Sequence, residues 1–303
     1  MAWNWSTFKT RALSALLYAA IMLTGLLWSH WSFLLLFTII HIGCWWEYQQ
    51  LMGRVDESYR QINPFHRYGI IVAGWGLMLV FAGYWKLGAE LTLDGVGMIL
   101  LLVGLVAVFL CEVLLSRQLL VRHLVISVLG LLYISLSWGL LLNIRSGAMW
   151  MPHNGTDTFA NLSSLLARIN GYVVPVILIG SIWINDTMAY IVGSLLGKTP
   201  LSPVSPKKTW EGTIGGVVLA VAIMWGLGAL SHSSASWIWA SVGAIAAVAG
   251  TVGDLLESKL KRMAGVKDSG AVLPGHGGFL DRFDSMLLAV PFVWVYLKLV
   301  TLF

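Results

Sequence analysis

The stretch SKLKRMAGVKDSGAVLPGHGGFLDRFD, residues 258–284, separates two strongly apolar segments at 236–257 and 286–303. It contains five basic and three acidic side chains, namely Lys259, Lys261, Arg262, Lys267, Arg282, Asp268, Asp281 and Asp284. No apolar span tolerates such a load, because each charged group inside a bilayer is costly. In a chain of which only 11% is charged, this concentration at a membrane surface indicates a site for a charged, phosphate-bearing substrate.

The whole chain has the composition of a membrane protein. Of its 303 residues, 58% are hydrophobic and 16 are tryptophan, and its 11% of charged residues compares with about 25% in a typical soluble domain. Long apolar runs predict an all-α, polytopic integral membrane protein with about nine transmembrane helices. The first is interpreted as a retained span, because no small-residue cleavage pattern follows it. The predicted spans are 12–28, 31–48, 69–85, 96–115, 124–143, 171–196, 212–230, 236–257 and 286–303.

The distribution of Lys and Arg predicts the orientation of these helices. With the N-terminus inside, fifteen of these residues fall on the inner side and only three, Lys86, Arg145 and Arg168, fall in outer loops. Because positively charged loops stay in the cytoplasm, this bias supports the nine-span topology and an active site facing the cytoplasm. We expect a bacterial inner membrane. The net charge of +5 reflects this topology, which argues against a nucleic-acid-binding module.

The N-terminal region, residues 1–145, is predicted to form transmembrane helices joined by short basic connectors. Few charges fall inside its spans. Glu47 and Glu112 lie near predicted inner helix ends, where they can reach water or pair with an arginine. Nothing in this region specifies chemistry, and no Ser, His and Asp triad is indicated.

The C-terminal region, residues 171–303, is predicted to be catalytic, because its spans contain Asp186 and Asp254. An ionised Asp in hydrocarbon costs a few kcal/mol, so such residues usually face a water-filled cavity or a cation. No inverted internal repeat of the kind found in secondary transporters is visible. The function is therefore expected to lie in this half of the chain.

Asp186 is the first residue of a first group of polar and glycine residues. On a helix, Asp186, Tyr190, Gly193 and Gly197 fall on one stripe. The two glycines would let another helix approach closely beside a polar wall. Helix packing alone explains this glycine pair equally well.

Lysines and hydroxyl groups cluster in the following loop. Lys207 and Lys208 are flanked by Ser205 and Thr209, and Glu211 lies at a glycine-rich helix start. Such a loop could hold a triphosphate through its charges and backbone donors. The positive-inside rule alone would explain the lysines, but it would not explain the hydroxyls and Glu211. We favour a substrate-binding loop.

The second group contains three carboxylates, Asp254, Asp281 and Asp284. Asp281 and Asp284 are three residues apart, so on a helix they point the same way. Together with Asp254 they offer hard oxygen ligands suited to Mg²⁺, which binds through one or two carboxylates plus substrate phosphates. The alternative is a set of acids that balance nearby Lys and Arg in surface pairs. His276 is either a general acid or phosphate contact, or a structural hydrogen-bonding group in a glycine turn.

These residues carry a resemblance to a known family. The stretch 258–284 resembles the signature of the phosphatidate cytidylyltransferases. Residues 186–212 look like that family's upstream conserved region. The first five spans match only in hydrophobic character. The matching residues are Ser258, Leu260, Lys261, Arg262, Lys267, Asp268, Gly270, Leu273, Pro274, His276, Gly277, Gly278, Phe279, Asp281, Arg282, Phe283 and Asp284.

The resemblance implies a membrane enzyme that joins CTP to phosphatidic acid, giving CDP-diacylglycerol and pyrophosphate. It implies Mg²⁺ as cofactor, with a second, monovalent cation, and metal ligands at Asp254, Asp281 and Asp284. Asp186 would line the cavity or hold the second cation, and Lys267 joins the three metal-binding acids as a catalytic residue. The expected substrate-binding residues are Lys207, Lys208, Thr209, Glu211, Arg262, Asp268, His276 and Arg282.

Two other functions remain open at this point. A CTP-dependent lipid-alcohol kinase would use the same chemistry but release CDP instead of pyrophosphate. A transporter or flippase for a phosphorylated lipid would explain Asp186 at membrane depth and would not consume CTP. The expected partners are CTP, phosphatidic acid and the lipid bilayer, with no nucleic acid, and a homodimer is an open alternative.

Overall fold

The computed structural model describes residues 5–83, 85–87, 91–116, 121–147, 171–231, 236–270 and 277–302. Within these ranges the chain forms eleven α-helices, two π-helical turns and one short β-hairpin. The N-terminal helices are α1 Trp5–Leu27, α2 His30–Val55, α3 Glu57–Arg60, α4 Pro64–Val80, α5 Leu93–Leu110, α6 Val121–Gly130 and α7 Leu136–Ser146. The C-terminal elements are α8 Val173–Leu196, β1 Pro200–Ser202, β2 Ser205–Thr209, α9 Trp210–Leu230, α10 Ser236–Met263 and α11 Leu280–Leu302.

The π-helical turns extend two of these helices. Cys111–Leu115 continues α5, and Leu131–Ser135 joins α6 to α7. Six of the resulting helical stretches in the described residues are long and apolar enough to cross a membrane, and Leu16–Leu27 is a shorter apolar helix. The six are Leu93–Leu115, Val121–Ser146, Val173–Leu196, Trp210–Leu230, Ser236–Met263 and Leu280–Val300.

These helices confirm the prediction of an all-α, polytopic membrane protein. Each of the nine expected spans overlaps a long helical stretch. Six of these stretches are the membrane-length helices named above. The other three are α1, α2 and α4, which do not meet the same criterion of length and hydropathy over the described residues. The count of nine transmembrane helices therefore stays a prediction.

Local sequence signals explain where the first helices begin. Ser29 and Ser32 form a capping box between α1 and α2, in which each hydroxyl accepts from the other residue's backbone N–H at 3.0 and 2.9 Å. Asn63 caps α4 by accepting from Phe65 N at 2.9 Å, and Pro64 occupies its first turn. The two caps produce short connections between successive helices.

The core connects the N-terminal and C-terminal helices. Ser137 on α7 donates to the carbonyl oxygen of Leu287 on α11 at 2.6 Å, and Trp294 Nε1 donates to Asn143 Oδ1 at 2.9 Å. Trp138 is fully buried between these helices, with its ring 5.6 Å from that of Phe283. Helix α11 therefore packs against both halves.

Most of the charged residues in the described part lie at one end of the helices, which we call the polar end. The C-terminal ends of α2, α8 and α10 meet there with the N-terminal ends of α4, α6, α9 and α11. The β-hairpin β1–β2 lies at the same end, with Pro200 paired to Thr209 and Ser202 paired to Ser205. The polar stretch quoted above therefore connects two helices at the polar end, as the sequence predicts.

Candidate active site

Two cavities adjoin at the polar end. They share two lining residues, Asp186 and Asp254. The first, which we call the Lys267 cavity, has a volume of about 600 Å³, and the second, the Lys207 cavity, about 530 Å³. Both volumes lie in the range of about 300–1,000 Å³ that is usual for ligand sites. The Lys267 cavity is lined by polar residues that include Lys261, Lys267, Asp268, Asp281, Arg282, Asp284 and Ser285, and by the apolar residues Tyr18, Met22, Ile179, Ile182 and Trp183.

The wall between the cavities is a row of carboxylates. Asp254 on α10 forms an ion pair with Lys208, and its Oδ1 accepts from Ser258 Oγ at 3.3 Å. Asp254 lines the same cavity as Asp186 and Asp284. The ion pair of Asp254 with Lys208 is the only one that these three carboxyl groups form within the described residues. The row therefore has more carboxyl groups than paired cations in the described part of the chain.

Close helix packing brings Asp254 and Asp284 to the same wall. Gly253 lies where α10 crosses α11, and a Cβ at this position would lie 2.6 Å from the backbone oxygen of Asp284. A larger residue would push the two helices apart. Asp284 is 7% exposed, and its Oδ1 accepts from Ser285 N at 2.5 Å.

Asp281 has a different environment from the carboxylate row. Its Oδ1 accepts from Lys261 Nζ at 2.6 Å, and its Oδ2 accepts from Gly278 N and Ser269 N, both at 2.9 Å. Gly277 beside it has φ +80, and a Cβ there would lie 2.8 Å from Asp281 Oδ2. Both oxygens of Asp281 therefore hold the turn before α11 in place. Its assignment as a metal ligand remains a prediction.

Glu47 on α2 also holds this turn, and sequence reasoning gave it no role. It is 3% exposed, and its carboxylate accepts from Phe279 N at 2.9 Å and from Leu280 N at 2.8 Å. Ser269 Oγ lies 2.8 Å from Glu47 and 3.0 Å from Asp281, so this hydroxyl bridges the two carboxylates. A carboxylate at a helix N-terminus satisfies free N–H groups and is stabilised by the helix dipole. The one available signal was an acid within a long apolar helix.

A buried ion-pair network adjoins Asp281. Lys261 pairs with both Asp281 and Glu257, and Glu257 is fully buried. Glu257 and Lys261 are four residues apart on α10, so they lie on one face of the helix. Neither was among the predicted site residues. Because breaking a buried pair leaves an uncompensated charge, this network fixes α10 relative to α11.

The predicted triphosphate loop is a β-strand rather than an irregular loop. Lys207 and Lys208 lie on β2 and line the Lys207 cavity together with Thr209. Thr209 caps α9, because its Oγ1 accepts from Gly212 N at 3.2 Å. The strand therefore presents both lysines to the cavity beside the start of a helix.

Glu211 and the glycine stripe on α8 have structural contacts. The Glu211 carboxylate accepts from Lys198 N and Thr199 N at 3.2 Å, and Glu211 is not among the residues lining either cavity. Its predicted substrate-binding role therefore has no support in the geometry, because its oxygens hold the end of α8 against α9. A Cβ on Gly212 would lie 2.9 Å from Gly193 Cα, so the predicted close helix approach along this stripe is confirmed.

The remaining predicted residues divide into two groups. Lys267, Asp268 and Arg282 line the Lys267 cavity, as expected of substrate contacts. Arg262 lines neither cavity; its Nη1 donates to the carbonyl oxygen of Val266 at 3.4 Å beyond the end of α10. The helix register therefore turns Arg262 away from the site. His276 lies outside the described residues.

No group of three or more His, Cys, Asp or Glu converges closely enough to hold a metal ion within the described ranges. The donor set is nevertheless of the type that Mg²⁺ uses, since one or two carboxylates suffice when phosphate oxygens and water complete the shell. Asp254 borders both cavities and lines one of them together with Asp186 and Asp284. It is the carboxylate best placed to share a cation with substrates in either cavity.

Comparison with known proteins identifies the family of the chain. The model of the cytidylyltransferase family matches residues 9–300 of the chain. The chain is 44% identical over 138 residues to phosphatidate cytidylyltransferase 4, chloroplastic, of Arabidopsis thaliana, covering 43% of this chain and 34% of that protein. It is 48% identical over 119 residues to phosphatidate cytidylyltransferase of Staphylococcus haemolyticus, covering 38% and 45%. For phosphatidate cytidylyltransferase of a Synechocystis strain, the identity is 42% over 134 residues, covering 43% and 44%.

The aligned segments thus span less than half the length of each of these curated relatives. The family match, in contrast, extends over almost the whole chain. It includes the N-terminal helices that carry Glu47 as well as the carboxylate row. By this match, and in agreement with the resemblance found in its sequence, the chain belongs to the cytidylyltransferase family.

Proposed function

We propose that the protein transfers a cytidylyl group from CTP to phosphatidic acid, giving CDP-diacylglycerol and pyrophosphate. The observation that carries this proposal is the pair of polar cavities that adjoin at Asp186 and Asp254. A transferase for two phosphate-bearing substrates needs two such sites that meet where the phosphates react. The names of the aligned relatives support the same reaction.

The Lys267 cavity suits phosphatidic acid. Lys267 and Arg282 provide cationic donors for a phosphate monoester, and guanidinium groups bind phosphate in a bidentate manner. On the other side, Tyr18, Met22 and Trp183 provide an apolar wall. A lipid with an anionic head and an apolar glycerol ester body matches this division.

The Lys207 cavity suits the nucleotide. Lys207 and Lys208 face it from β2, and its other walls supply hydroxyl and amide groups. The cations would bind the triphosphate, and the uncharged polar groups could hydrogen-bond to the ribose and cytosine. The uncharged polar residues are Asn185, Tyr190, Ser194, Ser205, Thr209, Thr213 and Thr251.

The reaction then occurs beside the shared wall. A phosphate oxygen of phosphatidic acid attacks the α-phosphorus of CTP, and the bond from that phosphorus to the oxygen bridging the β-phosphate breaks. Pyrophosphate leaves with the electron pair of this bond. No strong general base is required, because a phosphate monoester has a second pKa of about 6 and is largely ionised near neutral pH. Lys208, Lys267 and Arg282 would offset the repulsion between the two anions.

A divalent cation, Mg²⁺, fits this proposal. Asp254, with one of its neighbours Asp186 or Asp284, would hold it together with phosphate oxygens and water, and the second, monovalent cation would occupy the same acidic row. The surplus of carboxyl groups over paired cations in this row supports a cation there. When bound, Mg²⁺ stabilises charge on transferring phosphoryl groups. The oxygens of Asp281 accept hydrogen bonds from the protein itself, so we assign Asp281 to positioning.

The cellular setting is also part of the proposal. The apolar helices make this an integral membrane protein. We assign it to a bacterial inner membrane with the polar end facing the cytoplasm, where CTP is present. The positive-inside distribution of Lys and Arg supports this orientation. The homodimer stays a prediction, to be checked by the mass of the protein in detergent.

The test is product analysis with the full chain purified in detergent. Incubation with CTP, Mg²⁺ and phosphatidic acid should release one pyrophosphate for each CDP-diacylglycerol formed. A lipid-alcohol kinase would instead release CDP and require a diacylglycerol or another lipid alcohol as acceptor. A transporter would move phosphatidic acid across reconstituted vesicles without consuming CTP. Either of these results would contradict the proposed function.

A further inference from the structure

A third cavity lies at the polar end, among the N-terminal helices. It has a volume of about 570 Å³, and its walls share no residue with the Lys267 or Lys207 cavity. We call it the arginine cavity, because its charged walls are three arginines and one glutamate: Arg54, Arg60, Arg67 and Glu57. It therefore carries excess positive charge and is suited to an anion.

One face of α2 forms a continuous wall of this cavity. Trp46, Gln49, Gln50, Gly53 and Arg54 line it, and they recur at spacings of three and four residues. Residues with these spacings lie on one face of a helix. Helix α3 and the first turn of α4 supply the other walls. The cavity is thus built from three helices and is not a chance cluster on one surface.

Two shielded polar atoms in the wall lack partners. Gln49 is 6% exposed; its Nε2 donates to the carbonyl oxygen of Arg67 at 3.0 Å, whereas its Oε1 accepts no hydrogen bond from a described residue. Arg67 Nη2 donates to the carbonyl oxygen of Arg60 at 3.0 Å, whereas its Nε donates to no described residue. The hydrogen bonds of the cavity wall are therefore incomplete in the described part of the chain.

The exposed arginines of the cavity indicate which acceptor group its ligand carries. Arg54 makes no ion pair with a carboxylate in the part of the chain that the structure describes. Arg60 has only an exposed contact with Glu57, 3.5 Å from Nη1 to Oε1, which water screens. Arginine forks recognise phosphate oxygens. A phosphate group would therefore satisfy the exposed guanidinium groups of Arg54 and Arg60.

The surroundings indicate that this phosphate comes from a lipid. Trp46 on the cavity wall is 46% exposed, and Phe65 and Tyr68 on either side of Arg67 are 67% and 55% exposed. Exposed aromatic side chains beside arginines are typical of the level of lipid head groups. A cavity at this level meets the head groups of the bilayer directly.

We propose that the arginine cavity binds the phosphate of an anionic phospholipid head group, such as a glycerol phosphodiester. This site is separate from the two cavities assigned to the reaction, and it does not depend on the proposed function. The bound lipid is a ligand of the N-terminal helices rather than the substrate.

The test measures lipid binding by native mass spectrometry of the full chain released from detergent, titrated with phosphatidylglycerol or phosphatidylcholine. The variant Arg54→Gln/Arg60→Gln should weaken the apparent affinity for phosphatidylglycerol about tenfold or more, with little change for phosphatidylcholine. Arg122→Gln is the matched control, since Arg122 is an exposed arginine of the same region that lines none of the three cavities. It should bind phosphatidylglycerol like the unmodified protein.

A second variant keeps the proposal testable if the double substitution impairs folding. Glu57 is exposed and is the one acidic residue that lines the cavity, so Glu57→Gln removes its negative charge. Because less repulsion then acts on the lipid phosphate, phosphatidylglycerol should bind about threefold more tightly. Equal binding by the unmodified protein and the double variant would overturn the proposal, as would the absence of any gain in Glu57→Gln.

Soluble probes distinguish the source of the phosphate. Inorganic phosphate and glycerol 3-phosphate are titrated under the same conditions. Weak binding of both, with phosphatidylglycerol binding that depends on Arg54 and Arg60, supports a lipid ligand. Binding of glycerol 3-phosphate that depends on these arginines, without such a dependence for phosphatidylglycerol, would overturn the lipid assignment and identify a site filled from solution.

Discussion

Each half of the protein contains a cluster of ionisable side chains, and the two clusters differ in their access to a cavity. In the N-terminal helices, His66 Nδ1 lies 2.5 Å from Glu112 Oε1, and His66 Nε2 lies 2.8 Å from Ser127 Oγ. This is the order of groups in a hydrolytic triad. All three side chains are nearly or fully buried, and none lines any of the three cavities.

The carboxylate row of the C-terminal half has the opposite properties. Asp186 and Asp254 border two cavities, and Asp284 borders one. Within the described residues, the only ion pair that these three acids form is the one between Asp254 and Lys208. The comparison teaches that the order of polar groups does not identify a site. Buried networks that border no cavity fix helices together, whereas ionisable groups on a cavity wall are available to a ligand.

The largest effect is expected from Asp254→Asn, which neutralises the shared wall. The amide keeps the shape of the side chain but offers a weaker ligand to a cation and no charge to Lys208. Cytidylyl transfer should fall about 1,000-fold. The measurement is the rate of CDP-diacylglycerol formation, normalised to protein that elutes as a single species in size-exclusion chromatography. Activity close to that of the unmodified protein would contradict the role of the carboxylate row.

The next largest effect is expected from Glu47→Gln. The amide would face the N–H groups of Phe279 and Leu280 with one acceptor and one donor, so one backbone group would lose its partner at a cost of about 1–3 kcal/mol. Because this contact positions the turn before α11, activity per folded protein should fall about tenfold. The matched control is Glu112→Gln in the closed N-terminal cluster. It should lower the midpoint of thermal unfolding similarly while leaving activity per folded protein unchanged, and equal losses of activity in both variants would contradict the comparison.

A smaller and more selective effect is expected from the two cavity lysines. Lys207→Met should raise KM for CTP about tenfold, because one charge-assisted phosphate contact is lost. Lys267→Met should instead raise KM for phosphatidic acid by a similar factor. Steady-state kinetics with each substrate varied in turn provides the measurement. If both variants change the same KM, the assignment of one substrate to each cavity is wrong.

The smallest effect on activity is expected from Ser127→Ala. A buried hydroxyl that bridges His66 and Tyr59 contributes to stability alone, so unfolding should become easier by about 1–2 kcal/mol with unchanged kcat. Thermal unfolding and product formation are measured on the same preparation. A loss of activity that exceeds the loss of folded protein would assign the N-terminal cluster a part in the reaction.

Reasoning from the sequence reached properties that are local. Asp254, Asp284, Lys207 and Lys267 were singled out because charged residues beside apolar segments need water, a partner or a ligand, and each of them lines a cavity, while their roles stay predictions. Glu47 was missed because its partners include Phe279 N, which lies 232 residues away in the chain. An acid in a helix reveals nothing about which distant backbone groups it will accept from.

Arg262 and Asp281 show the converse limitation. The charge of Arg262 suggested a phosphate contact, but the register of α10 directs its guanidinium to the carbonyl oxygen of Val266. The position of Asp281, three residues before Asp284, suggested a further metal ligand, which stays a prediction; in the structure both of its oxygens accept hydrogen bonds from the protein's own donors. Residue type gives the chemistry that a side chain can perform, and its neighbours decide whether that chemistry is available.

The sequence by itself determined that the chain is a helical membrane protein, that its charge collects at one end, and which family it resembles. The first two properties follow from the length of apolar runs and the cost of charge in hydrocarbon, and the resemblance rests on the residues of the stretch 258–284, so all three depend on residues close together in the chain. Only the tertiary structure decided that α2 holds α11 in place, that two cavities share Asp186 and Asp254, and that the His66 cluster is closed. These properties depend on how helices distant in sequence pack, because packing decides which polar groups are already satisfied and which face a cavity.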